Sequence, residues 1–408
     1  MNILVINCGS SSAKFAVIDS SDGRELISGI AQRLGSPHAS LDWQHQGNQK
    51  SQPLPRADHD FALRAVVDLL MSADLADTLG GVGHRVVHGG AAFSRSRPIT
   101  HAVLLKIEEC IPLGPLHNPP NLLGIRVAQE LFPELPQVAV FDTAFHQTVP
   151  PKAYTYPVPY DWFERHQVRR YGFHGTSHRF VAQRALALLG LPPGDHTLIT
   201  AHLGNGCSCT AVRNGKSVDT TMGLTPLEGV MMGTRSGSVD PALIGHMGTA
   251  LGEPGQQIID ALNKKSGLLG VSGLSNDMRT VQQAAEAGHE RAQLAIEMFC
   301  YVLAKALAGL VVPLGRLDAL VFTGGIGENA VSVRASVVEQ LGFLGLALDP
   351  AANAVHGQGR GGRISRDSGP AVLVVPTNEE LMIAQDTAEI VVGARQQTQA
   401  AERRRVGA

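Results

Sequence analysis

Three short segments combine small residues with groups able to hold phosphate. Asn7–Lys14 (NCGSSSAK), His202–Ser208 (HLGNGCS) and Gly324–Asn329 (GGIGEN) each directly follow an apolar run. Turns of this kind can aim backbone N–H groups at a phosphate. One alone is usually a hairpin, but three in one chain favour a nucleotide. Arg85 in GHRVVHGG and Arg235 in GTRSG stand in glycine-rich, low-charge surroundings. An ordinary ion pair would explain either one alone; the sharper reading is bidentate contact with a carboxylate or phosphate. Asp142 closes the apolar run VAVFD, and Glu379 and Glu380 follow another in VPTNEEL. Carboxylates at strand ends can hold the Mg²⁺ that accompanies nucleotide phosphates. They can equally begin the next helix, with Asn378 as its cap.

Several generic patterns fail on inspection. GKS at 215–217 would end a P-loop only with glycine at position 210, which is Thr210. Gly325, Gly327 and Ala330 fit the dinucleotide spacing after a strand, a weak signal on its own. Gly357, Gly359 and Gly362 repeat the spacing with no strand before them. Cys207 and Cys209 have no further ligand cluster beside them. The pairs His84/His88 and His174/His178 lack the HExxH context, so zinc is not expected.

The elements that must carry these residues are legible in outline. Residues 2–19 read as strand, Gly/Ser turn, strand. Residues 197–213 repeat that plan nearly half a chain later, which points to a duplication of two related α/β halves. Helices are expected at 61–75, 122–131, 241–247, 254–262 and 281–308, and from 378 to 392. Strands are expected at 82–87, 138–141, 319–323 and 372–376. Residues 353–370 read as a surface loop, and the basic tail 395–408 as a solvated, fraying end.

Composition bounds the class. Of 408 residues, Lys and Arg number 34 and Asp and Glu 36, a net charge of -2. That balance speaks against a nucleic-acid binder. Hydrophobic residues at 44% with charged residues at 17% exclude disorder over most of the length. The five cysteines form no CxxC pair and the N-terminus reads as no signal peptide, so a cytoplasmic protein with reduced thiols is expected. Phe299–Leu314 is short and carries Lys305, and so reads as a buried helix rather than a membrane span.

The ordered series NCGSSSAKF, HRVVHGG, HNPPN, FDTAFH, YGFHGTSH, HLGNG, TPLEGVMMGTRSG, SNDMR, FTGGIGEN and PTNEEL resembles the acetate kinase family from Asn2 to about Val392. The resemblance implies an α/β fold of two duplicated ribonuclease-H-like (actin-like ATPase) domains around a nucleotide cleft. Residues 1–145 with 382–408 would form one domain and 146–381 the other. It implies reversible, Mg²⁺-dependent transfer of phosphate between ATP and acetate, giving ADP and acetyl phosphate, with Mn²⁺ able to replace Mg²⁺. It further implies a homodimer acting on small molecules, with neither nucleic acid nor membrane as partner.

Carried over by motif, Asn7, Ser10, Ser12 and Lys14 would lie near the phosphates and metal, with Glu379 helping to bind Mg²⁺. Arg85 and Arg235 would hold the acetate carboxylate and the transferring phosphoryl group. His174 would hydrogen-bond that group, with His117 and His202 nearby, and Asp142 would orient Arg85 or the attacking carboxylate. His202, Asn205 and Gly206 would serve the phosphates. Asp277, Arg279, Gly325, Ile326 and Asn329 would flank the adenosine. Val87, Leu116, Phe173 and Pro226 would form the apolar pocket for the methyl group. One departure stands out: the family usually reads TRSGD where this chain has TRSGS, with Ser238 in place of the acid.

The chemistry suits these residue types. Acetate and the γ-phosphate are both anions, and unit charges ~3.5 Å apart repel by roughly 5 kcal/mol at an effective dielectric of ~20. Two arginines and a metal ion cancel that repulsion without donating a reactive proton. A carboxylate is already ionised at neutral pH, so no general base is needed and Asp142 reads as an orienting group. Catalysis is then positioning and charge stabilisation of an in-line transfer. Propionate and butyrate are the alternative acceptors, because one methylene is worth only ~1–3 kcal/mol in such a pocket. A nucleotide-driven chaperone or filament would share the fold, but it has no use for paired arginines at a small-acid pocket.

Overall fold

The first apolar run becomes strand β1 (Asn2–Cys8), which turns through Gly9, Ser10 and Ser11 into β2 (Ser12–Asp19). Both are buried along most of their length, as strands covered on two faces must be. The chain is seen here in a computed structural model, which describes the backbone of residues 1–406 and the side chains to residue 397. Strands β3 (Glu25–Gln32), β4 (Ser40–His45) and β5 (Asn48–Pro53) extend the sheet by antiparallel pairing. β5 is exposed throughout, and its Lys50 and Pro53 suit an edge that must not pair further. On the other side of β1 lie β6 (Leu79–Val86) and β8 (Gln137–Phe141), both parallel, with the short β7 (Arg97–Pro98) beyond them.

The second sheet repeats the plan. β9 (Thr197–Leu203), β10 (Cys207–Arg213) and β11 (Lys216–Thr220) are antiparallel. β12 (Ala319–Thr323) runs parallel to β9 and β14 (Ala371–Val374) parallel to β12, with β13 (Gly362–Arg363) at the edge. The orders β3-β2-β1-β6-β8 and β11-β10-β9-β12-β14 are the same topology used twice. This is the duplicated ribonuclease-H-like α/β arrangement. In each sheet the carboxyl ends of three parallel strands lie side by side, where open α/β sheets place their ligands.

By internal packing the chain divides into two compact units, Met1–Ala144 with Asn378–Ala408, and Phe145–Thr377. The last helix, Glu379–Val406, belongs to the first. Its Ile383 and Ala384 share a core with Ile3, Val5, Ala16, Ile18, Val138 and Val140. Gly83 on β6 permits the approach: a Cβ there would meet Thr387 Oγ1 at 2.5 Å and Ile383 Cγ2 at 2.7 Å.

Some expectations from sequence need correction. The single helix expected at 281–308 is two, Met278–Glu286 and Glu290–Val311. Gly288 at φ 89 ends the first, and His289 caps the second by accepting from the Ala292 N–H. The last helix continues well past 392, so the stretch to 406 is helical rather than a fraying tail; positions 407–408 of that expectation lie outside the described residues. The stretch 353–370 is not all loop, since it holds the end of the helix Pro350–Val355 and β13. GGIGEN is itself a short helix after β12. Glu290–Val311 is long and apolar enough to cross a membrane by length and composition alone. Yet Ala292, Ala295, Phe299, Cys300, Leu303, Ala304, Leu307 and Leu310 are buried along one stripe, which makes it a core helix of the second unit.

Candidate active site

The residues singled out by sequence fall into two groups, one in each unit. In the first unit, β1, β6 and β8 are parallel neighbours, so Asn7, Arg85 and Asp142 emerge at adjacent strand ends. Arg85 Nη2 donates to Asp142 Oδ2 at 2.7 Å, and its Nε lies 3.1 and 3.2 Å from the two carboxylate oxygens. Arg85 Nη1 reaches Asn7 Oδ1 at 3.4 Å. Burial opposes the guanidinium charge, but Asp142, Glu379 and Glu380 more than offset this and hold Arg85 above its ordinary range.

Asn378 resolves the ambiguity at the last helix. Its Oδ1 accepts from the Leu381 N–H, which leaves the Glu379 and Glu380 carboxylates unused in capping. Glu379 is half-buried and has no hydrogen-bond partner among the described residues. Burial pushes it up to about 7; Asp142 and Glu380 add to the rise, while Arg85 and Lys14 oppose it. A carboxylate so placed has spare affinity for a cation. Among the described residues no group of three or more His, Cys, Asp or Glu forms a metal cage. Hard oxygen donors in small number, Glu379 with Asn7, fit Mg²⁺, which keeps several waters and takes phosphate oxygens as ligands.

Two asparagines not singled out from sequence build the loop after Arg85. Asn121 Oδ1 accepts from the Val87 N–H at 3.0 Å, and its Nδ2 donates to Cys8 O at 2.7 Å. Asn118 bonds His88 at both its backbone N–H and its carbonyl. Their spacing in HNPPN puts both on one helix face, which was the available signal. Val87 is buried, while Leu116 is exposed. His117 precedes this helix as its N-cap residue.

In the second unit, Arg235 differs from Arg85. Its Nη1 contacts only Pro226 O at 3.1 Å and Met232 Sδ at 3.7 Å, and no carboxylate pairs with it among the described residues. Burial lowers its pKa, so the site favours an arriving anion over a bare cation. A Cβ on Gly206 would stand 3.4 Å from both Arg235 Nη1 and His174 Nε2, which places these two groups at one spot. His174 begins the helix Gly175–Leu189 in a left-handed conformation, φ 56, a strain typical of functional positions. Its ring stacks on His202 at 4.3 Å. Phe173 is buried in the same segment. Ser238 does not engage Arg235; its Oγ accepts from the Gly229 N–H at 3.1 Å, and its own N–H donates to Gly229 O at 2.9 Å.

A cavity of about 550 Å³ opens beside this group. Asn205, Asp277, Arg279, Gly325, Ile326 and Asn329 all line it, whereas Gly206, His202 and Lys14 do not. Gln282 and Gln358 also line it and were not singled out from sequence. Gln358 sits in the glycine-rich stretch that read as plain loop; its N–H donates to Asn329 Oδ1 at 2.8 Å, which ties that loop to the cavity wall. Asp277 caps the helix Met278–Glu286 and pairs with Arg279 at 2.6 Å, and hydrogen bonds from Arg279 hold it down near 2.

Residues 2–385 match the acetokinase family. The acetate kinase of Ectopseudomonas mendocina (strain ymp) is 56% identical over 386 residues, covering 95% of this chain and 98% of that protein. The acetate kinase of Chromobacterium violaceum is 53% identical over 389 residues, covering 95% and 98%. Among solved structures, Porphyromonas gingivalis acetate kinase superposes with a TM-score of 0.91 at 44% identity, covering 96% of this chain and 99% of that one. A propionate kinase from Francisella tularensis gives 0.90 at 44% identity, covering 94% and 98%. With its motifs standing at the strand ends of a duplicated sheet, and with a match over nearly its whole length, the chain belongs to the acetokinase family.

Proposed function

We propose that the protein transfers the γ-phosphoryl group between ATP and acetate, reversibly, giving ADP and acetyl phosphate by direct in-line attack. The observation that carries this reading is Arg235, a half-buried guanidinium with no carboxylate partner among the described residues and His174 beside it. A cation kept without an anion is costly, so the site is built for an anion that arrives. The cavity lined by Asn205 and Gly325 takes the nucleoside part. Arg85, locked in direction by Asp142, holds one charged group of the substrates and cancels repulsion between them. Asn7 and Glu379 hold Mg²⁺, or Mn²⁺ in its place, which neutralises charge on the phosphate oxygens when bound. Arg235 and His174 stabilise the charge spread over the phosphoryl oxygens. Acetate needs no general base, so every protein group named here acts by position or charge.

The two units are taken as the two domains of this kinase. The protein is read as a cytoplasmic homodimer; all five cysteines are buried and free, and the apolar helix Ala242–Leu251 has no buried residue, which suits a covered face. Propionate is the second acceptor to weigh, since the propionate kinase above is as similar in sequence as the Porphyromonas gingivalis acetate kinase. A hydroxamate assay with ATP, Mg²⁺ and acetate, propionate or butyrate tests the reading. Product highest with acetate is the expected result; no trapped product with any short acid would overturn it. Arg85→Ala and Arg235→Ala should each lower kcat by at least ~100-fold.

A further inference from the structure

Four histidines crowd the second unit, with His178 5.8 Å from His146, 6.5 Å from His174 and 6.4 Å from His202 between ring centres. His178 is fully buried and is kept neutral, chiefly by burial, with His146 and His202 adding to the effect. Its Nδ1 lies 2.7 Å from Thr200 Oγ1, and its Nε2 lies 2.7 Å from Ser208 Oγ. Ser208 Oγ in turn lies 2.9 Å from His174 Nδ1. One chain of hydrogen bonds therefore runs Thr200, His178, Ser208, His174.

Each link has one hydrogen, so the chain has only two consistent proton orders. In the first, Thr200 donates to His178 Nδ1, His178 Nε2–H donates to Ser208, and Ser208 donates to His174 Nδ1. The proton of His174 then sits on Nε2. In the second, every donor reverses, and the proton of His174 sits on Nδ1. The second order leaves the Thr200 hydroxyl hydrogen needing another acceptor. Thr200 is fully buried and has no other partner among the described residues. A buried donor left unmade disfavours the second order by roughly 10- to 100-fold.

We propose that Thr200, His178 and Ser208 form a hydrogen-bond chain of fixed proton order that holds His174 as its Nε2–H tautomer. Thr200 and Ser208 are then positioning residues: neither donates to substrate, and both decide which nitrogen of His174 can. This rests on the reading of His174 as a donor to the phosphoryl group. His174 Nε2 is the nitrogen beside Gly206 and Arg235 Nη1, so the fixed tautomer aims its N–H at the spot that Arg235 serves. A neutral imidazole N–H suffices there, and the ring of His202 stacked at 4.3 Å needs no second charge beside it.

The test uses the full chain labelled with ¹⁵N-histidine, read by long-range ¹H–¹⁵N correlation at neutral pH. The His174 signals are assigned by their loss in His174→Gln. The wild type should show the Nε2–H pattern. Thr200→Val, which keeps the shape and removes the hydroxyl, should shift His174 toward a mixture, as should Ser208→Ala; Thr200→Ser should restore the wild-type pattern. The same Thr200→Val and Ser208→Ala proteins should lose about 10-fold in kcat while KM for ATP and acetate moves by less than about 2-fold. An Nδ1–H wild type, or an Nε2–H pattern unmoved in both variants, would overturn the chain. The expected patterns in a protein that makes no acyl phosphate would support the chain and overturn only the reading of the reaction.

Discussion

The Arg85–Asp142 pair should reveal itself through unequal and non-additive losses of stability. The Asp142 side chain is 1% exposed and that of Arg85 22%. Charges ~3 Å apart at an effective dielectric of ~20 attract by about 5 kcal/mol, and desolvation cancels much of that. The cost of a single substitution is therefore set by the partner left behind. Removing one member of a buried pair costs about 3–5 kcal/mol. Arg85→Ala leaves Asp142, Glu379 and Glu380 facing one another, and should stand at the upper end. Asp142→Ala leaves Arg85 still attracted to Glu379 and Glu380, and should stand at the lower end or below. The double variant Arg85→Met/Asp142→Leu removes both charges and should lose no more than about 2 kcal/mol.

In units of this size each kcal/mol shifts the melting temperature by about 2–4 °C, so Arg85→Ala should lose about 10–20 °C. Its deficit must also depend on pH. Without the guanidinium, which opposes its rise, the Glu379 carboxyl moves further above the unfolded value of about 4. The folded protein then binds protons that the unfolded chain has released, so the deficit grows as pH rises from about 4 through neutrality. Melting curves by circular dichroism at pH 5 and pH 8 measure all of this. Equal and additive losses, or a deficit larger at pH 5, would refute the reasoning.

His84 gives the opposite pH sign. Burial holds it down to about 4, with the Gln137 side chain at 2.8 Å opposing the fall. Its contribution is complete above about pH 6.5 and is lost toward pH 4, a span worth about 3 kcal/mol. His84→Gln should flatten the melting temperature between pH 6.5 and 4.5; an unchanged acid slope would count against it. Ser238→Asp should leave kcat within about 2-fold, because an aspartate can accept the same Gly229 N–H. A loss beyond about 10-fold in the hydroxamate assay would mean that Ser238 does more than hold its loop.

Strands flanked by glycine turns were legible because β1, β2, β9 and β12 are mostly apolar and mostly buried, the pattern of strands covered on both faces. β4 and the edge strand β5 were not. SLDWQH and NQKSQP are largely polar, and only pairing, of β4 with β3 and of β5 with β4, makes them strands. The break between the helices Met278–Glu286 and Glu290–Val311 was missed for a similar reason. A lone glycine is tolerated in a helix, and only the His289 cap makes Gly288 a stop.

By itself the sequence determined which residues were available for chemistry and in what order. The strand-turn-strand repeat, the paired arginines and the motif series all lie within local stretches of chain, so spacing records them. Tertiary structure alone decided what each residue is paired with. Asp142 lies 57 positions from Arg85 and becomes its partner because β6 and β8 are parallel neighbours. Arg235 has no acid among the described residues, and nothing in GTRSG announces that. The Thr200–His178–Ser208–His174 chain joins two strands and a helix. Hydrogen bonds act over a few ångströms while spacing counts residues, and only the folded chain converts one into the other.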